Sequence, residues 1–163
     1  LKILGIDPGL STTGYGIIEA DGDRLHEITH GTIKKRQRKD FSQNLLGIYQ
    51  GVTKIIQEFQ PDYCAIESIF YHQNKKTAIT MGHVRGVAIL AAAQSQIAVA
   101  EYSPREVKLS IVGSGSAAKI QVQAMVKNIL RLKEIPHSDD AADALAIAIC
   151  HFHRLNFANR IQY

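Results

Sequence analysis

The stretch Leu1 to Ala20, LKILGIDPGLSTTGYGIIEA, decides how the chain folds. Its first seven residues, LKILGID, form a short apolar run that ends on an acid. Pro8-Gly9 marks a turn, and the strand pattern resumes from Gly14 to Ala20. Leu25 to Lys34, with partial alternation, adds a third strand. Consecutive strands of this kind form an antiparallel meander. The pattern then changes period: Leu45, Leu46, Ile48, Tyr49, Val52, Ile55, Ile56 and Phe59 recur at helical spacing until Gln60-Pro61 stops them. Tyr63 to Glu67 (YCAIE) reads as a fourth strand, again ending on an acid. A helix from about Lys76 to Ser95 and a fifth strand from Ile97 to Tyr102 follow.

Ser103-Pro104-Arg105-Glu106 carries the signature of a helix start: Ser at the cap, Pro at the first position and Glu completing a capping box. A further helix is expected from Ala117 to Leu132, after the Gly113-Ser114-Gly115-Ser116 turn. Pro136 breaks the chain, and Asp139 or Asp140 opens the last helix. The order βββαβαβαα predicts an α/β fold: a mixed five-stranded sheet, three antiparallel strands followed by parallel ones, flanked by helices on both faces. No repeat or long linker interrupts it, so residues 1–155 are expected as a single domain with 156–163 as a C-terminal tail.

Composition agrees with a globular protein. Of 163 residues 45% are hydrophobic and 21% charged, enough to build a core. No run approaches the roughly 18 apolar residues of a membrane span, because Arg85 and Gly86 interrupt the longest candidate. Cys64 and Cys150 lie in apolar segments without metal or redox spacing, which predicts buried free thiols and a cytoplasmic protein. A net charge of +4 suits an anionic partner. Lys34, Lys35, Arg36, Arg38 and Lys39 form a basic run, with further cations at Lys75, Lys76, Arg85, Lys108 and Lys119. Cys150-His151-Phe152-His153 resembles a zinc cluster only superficially, since neighbouring helical positions point apart.

Four acids stand out against apolar surroundings. In open α/β sheets ligands gather at the carboxyl ends of strands, where Asp7 and Glu67 fall. In SDDAADALAIAIC, Ser138 to Cys150, Asp140 and Asp143 share one helix face, and the alanines between them are small enough for close approach to another element. Asp139 is expected to cap the helix. Each of the others has an ordinary reading by itself: Asp7 as a turn residue, Glu67 as a solvated strand end, Asp140 as a cap. Brought together, they would repel one another unless divalent cations neutralised them, and an all-oxygen donor set suits Mg²⁺ or Mn²⁺. Two such ions support phosphodiester hydrolysis.

The residues also carry a resemblance. IDPGLSTTGYGII (Ile6 to Ile18), IES with the following Phe70, HVRGVAI (His83 to Ile89), VGSGSAAKIQVQAMV (Val112 to Val126) and DAADALAIAICH (Asp140 to His151) resemble, in order, the RuvC family of Holliday junction resolvases. The resemblance implies an RNase H-like fold and a homodimeric endonuclease that resolves four-way DNA junctions by paired nicks. It implies Asp7, Glu67, Asp140 and Asp143 as catalytic and metal ligands for two Mg²⁺ or Mn²⁺ ions. Lys108 and Lys119 are implied as phosphate contacts, and Phe70 as an aromatic stacking on bases. Arg85 is a candidate DNA contact or the partner of an acid on its own helix face. The basic run at 34–39 is implied only as a loop near the DNA arms, and RuvA and RuvB as partners.

Parts of the sequence also suit other functions. Asp7 to Gly14 also resembles the phosphate loop of actin-like and sugar-kinase-like ATPases, although those need two lobes. The acid set would equally serve an RNase H-type enzyme acting on RNA-DNA hybrids. A DNA-binding module without chemistry would require that an acid be missing, and none is.

Overall fold

The computed structural model describes residues 1–34, 40–68 and 75–161, the side chains of 159–161 excepted. Five strands, β1 (Lys2–Asp7), β2 (Thr12–Asp21), β3 (Arg24–Lys34), β4 (Tyr63–Glu67) and β5 (Ala98–Tyr102), lie in the order β3-β2-β1-β4-β5. The first three pair antiparallel, while β4 and β5 add in parallel on the other side of β1. The helices are α1 (Phe41–Phe59), α2 (Lys75–Gln94), α3 (Pro104–Val112), α4 (Lys119–Leu130) and α5 (Asp139–Ile161).

Side chains alternate across a strand, and that period sorts the core into two layers. Leu4, Ile6, Cys64 and Ile66 join Ile48, Val52 and Val84 of α1 and α2. Ile3 and Ala65 face the other way, toward Val107, Val122, Leu145 and Ile149 of α3, α4 and α5. By the same alternation Asp7 and Glu67 project on the α5 side. The parallel register, Ile6 opposite Ile66, brings their strand ends level.

Helix α5 lies almost on the backbone of the sheet. A Cβ on Gly5 would stand 1.9 Å from the Ala144 carbonyl oxygen, and one on Gly14 would stand 2.0 Å from that of Asp140. Ala141, Ala144 and Ala148, all fully buried, supply the matching small side chains.

Local signals set the ends of the elements. Ser103 and Glu106 form the expected capping box of α3. α1 starts at Phe41, ahead of the apolar periodicity, because the Asp40 carboxylate accepts from the Gln43 backbone N-H at 2.8 Å. β2 begins at Thr12, before Gly14, where the buried Thr13 hydroxyl donates to the Gly9 carbonyl at 2.7 Å and closes the turn. α5 continues to Ile161, past the expected domain boundary at 155.

Cys64 and Cys150 are buried free thiols, their pKa values pushed by burial to about 12 and about 11. His151 meets the Tyr102 hydroxyl at 2.6 Å and His153 the Ser110 hydroxyl at 3.0 Å, so the Cys150 to His153 run diverges into separate partners. Among the described residues, no helix is long and apolar enough to cross a membrane.

Gly5→Ala should cost about 1–3 kcal/mol by forcing α5 off the sheet. A lower urea midpoint at unchanged slope would register this, whereas a wild-type midpoint would mean the contact has slack.

Candidate active site

Asp7 and Glu67 reach the site from the ends of β1 and β4, and α5 delivers Asp140 and Asp143 from its first turns. Ser138 caps that helix: its hydroxyl faces the Ala141 N-H at 3.5 Å and its carbonyl accepts from Ala142 at 3.0 Å. Asp139 is therefore not the cap expected from the sequence. It accepts a hydrogen bond from Gln123 Nε2 at 2.7 Å and pairs with Lys119 at 3.4 Å.

The acids feel one another strongly. Burial, followed by the charges of Glu67, Asp143 and Asp140, pushes Asp7 to about 8, against a smaller opposing pull from Lys119. Burial and the Asp143 charge raise Glu67 to about 7, while Lys119 and Lys108 pull the other way. Asp143 is also raised, by burial first, although Lys119 donates to it at 2.8 Å. These are the shifts expected of like charges crowded in a poorly solvated place.

Two depressions flank the acids. One, of about 480 Å³, is lined by Gly9, Ser11, Thr12, Lys76, Thr80 and Asp140 among others. The second, of about 190 Å³, includes Glu67, Lys108, Lys119 and Asp143. Among the described residues, no three His, Cys, Asp or Glu side chains are drawn together closely enough to hold an ion as they stand. The donor chemistry nevertheless fits a hard divalent cation: the candidate donors are oxygens only, and their mutual repulsion is uncompensated apart from lysine.

Lys108 and Lys119 therefore stand with the acids, and Arg85 does not. Arg85 ion-pairs with Glu101 of β5, across the gap between α2 and the sheet, and its buried Nε finds no partner. The acid that Arg85 meets lies on a strand instead of on its own helix face. Phe70 and basic residues 35, 36, 38 and 39 lie outside the described residues. The sequence reading missed Gln123 and Glu101. Gln123 had a signal in its position one turn after Lys119, whereas Glu101 had none before the strand order was known.

The sheet order and the helix packed along β1 and β2, its first turns reaching the carboxyl ends of the strands, define an RNase H-like α/β fold with an acidic cleft. The family model described as "Crossover junction endodeoxyribonuclease RuvC" matches residues 3–151, and the chain belongs to this RuvC family. It is 47% identical to the crossover junction endodeoxyribonuclease RuvC of Caldanaerobacter subterraneus subsp. tengcongensis, over 100% of this chain and 99% of the relative. It is 50% identical to that of Desulforamulus reducens, over 91% of each chain. The structure of Thermus thermophilus RuvC in complex with Holliday junction substrate superposes with a TM-score of 0.92 at 30% identity, covering 97% of this chain and 96% of that one.

Two measurements follow from the site's charges. Because Asp7 holds its proton more tightly in the folded state, the native protein binds more protons between about pH 4 and pH 8. Without divalent cations, stability should fall as pH rises through that window, and Asp7→Asn should flatten the slope; parallel slopes in the two proteins would contradict this. Arg85→Met should leave DNA affinity at the wild-type value and cost stability of about 1 kcal/mol or less, since the ion pair is partly exposed. Lost affinity at full stability would instead identify Arg85 as a DNA contact.

Proposed function

We propose that this chain resolves four-way DNA junctions in recombination and repair, nicking opposite strands by hydrolysis to leave 5′-phosphate and 3′-hydroxyl ends. The observation that carries the reading is the convergence of Asp7, Glu67 and Asp143 in a cleft edged by Lys108 and Lys119, within a chain of the RuvC family. Acids with raised proton affinity and adjacent lysines suit a phosphodiester backbone together with divalent cations.

In this reading Asp7, Glu67, Asp140 and Asp143 would hold two divalent cations, Mg²⁺ or Mn²⁺. When bound, the ions supply activation of the attacking water and stabilisation of the leaving oxygen. The protein's own groups do the rest. Lys108 and Lys119, on the first turns of their helices or close to them, hold backbone phosphates and keep the scissile one against the acids. Phe70 is proposed to stack on bases next to the cut, and the basic run at 34–39 to attract the DNA arms.

Paired nicks need two active sites, and an exposed apolar groove supports a homodimer. It is lined by Leu45, Ile79, Val87 and Leu90, with Gly82 and Gly86 permitting close helix approach. Ile79 and Leu90 are 62% and 58% exposed, unusual for residues of their kind. Association with RuvA and RuvB is proposed from family membership.

The alternatives have less support. A kinase-like ATPase would need a second lobe, and hybrid cleavage finds no independent support in the lysine-edged cleft.

A synthetic four-way junction incubated with Mg²⁺ should be nicked symmetrically while linear duplex of the same sequence is spared. Equal cleavage of both would overturn the reading. Asp143→Asn should abolish cleavage yet bind the junction in EDTA, and that binding should weaken steeply with salt.

A further inference from the structure

Lys119 holds two carboxylates at once. Its ammonium lies 2.8 Å from Asp143 Oδ2 and 3.4 Å from Asp139 Oδ2. The two acids differ in setting: the Asp143 side chain is 29% exposed and that of Asp139 67% exposed. Asp143 belongs to the set proposed to hold cations, and Asp139 lies outside it. Yet Asp139 is tethered, because its Oδ1 accepts from Gln123 Nε2 at 2.7 Å. Gln123 stands one turn after Lys119 on α4, so one helix face carries both the ammonium and the amide that aims its second acceptor.

A divalent cation arriving at Asp143 must compete with this ammonium for Oδ2, since two positive charges cannot share one oxygen at contact distance without strong repulsion. Lysine has a long, flexible stem, and its second carboxylate is already within reach. A short swing would complete the transfer.

We propose that Asp139 is a positioning residue that receives the Lys119 ammonium when a divalent cation takes Asp143. The inference rests on the reading of the four acids as cation ligands. With Asp139 in place, displaced Lys119 stays at the mouth of the cleft, where it can meet a phosphate. Without it, the ammonium goes to solvent or remains in competition at Asp143. Either way the cation-bound state loses a contact that the cation-free state needs less.

The test is calorimetric titration of the full chain with Mn²⁺ in the absence of DNA. Asp139→Asn keeps the shape and the acceptor for Gln123, and the exposed position leaves folding intact, which an unchanged melting temperature would verify. The variant should bind Mn²⁺ about threefold more weakly, in line with a partly exposed charge pair. In a Lys119→Met background the same substitution should have no effect, and Asp139→Glu should restore affinity in the natural background. An equal loss in both backgrounds would overturn the proposal, because Asp139 would then act only through its own long-range charge. Unchanged Mn²⁺ affinity in Asp139→Asn would overturn it as well. Failure of the unmodified chain to bind Mn²⁺ at all would instead remove the cation reading, and this inference with it.

Discussion

The contact on which the site depends is between backbones. At Gly5 and Gly14 no side chain separates the sheet from α5, and the carbonyls of Ala144 and Asp140 occupy the space where a Cβ would be. Close approach of this kind fixes a helix in rotation as well as in distance, since only its alanine stripe can fit the bare strand surface. The rotation places Asp140 and Asp143 on the face turned to the strand ends. A helix held off by larger side chains could bury as much apolar area and still carry its acids out of reach of Asp7.

Putting carboxylates there works against folding. The proton affinities of Asp7 and Glu67 record that cost, since both carboxyls are pushed well above their usual range by burial first and then by neighbouring acids, Glu67 acting on Asp7 and Asp143 on both. The rest of the structure offsets it with a dense apolar layer on each face of the sheet and with cations brought in from α3 and α4. Those cations come from outside the strand-and-helix frame that carries the acids. The negative cluster is thus carried by the sheet and by the helix packed directly on it, while its counter-charges sit on the long side chains of Lys108 and Lys119.

Much of this was legible in the sequence because it depends on short-range rules. LKILGID and YCAIE each read as a short apolar strand that ends on an acid, which puts Asp7 and Glu67 at strand ends, and the spacing of Asp140 and Asp143 pairs them on a helix. Even the capping box of α3 is local. The features that were not legible involve partners distant in the chain. Asp139 looks like a cap in isolation, but Ser138 takes that role and Gln123 and Lys119 of α4 engage the aspartate. Arg85 carries no sequence signal for Glu101, which comes within its reach only once β5 is placed beside β4. Charged side chains take whichever opposite charge the tertiary structure supplies, and no periodicity encodes that choice.

Glu67 ends a short strand whose support likewise comes from partners distant in the chain. β5 pairs in register with β4 as far as Glu67 and Tyr102, and the Ser68 N-H donates to the Tyr102 carbonyl just beyond. Tyr102 is itself anchored: its hydroxyl bonds to His151 of α5, and the Arg154 guanidinium lies 5.9 Å from its ring centroid. On the opposite face, Arg85 ties the neighbouring Glu101 to α2. The strand that backs Glu67 is therefore gripped from both layers within two consecutive residues. Through Tyr102 one of those grips returns to α5, the helix that carries Asp140 and Asp143. Acids from strand and helix thus share a support as well as a cleft, so a displacement of α5 would be transmitted to Glu67 as well as to the acids on the helix itself.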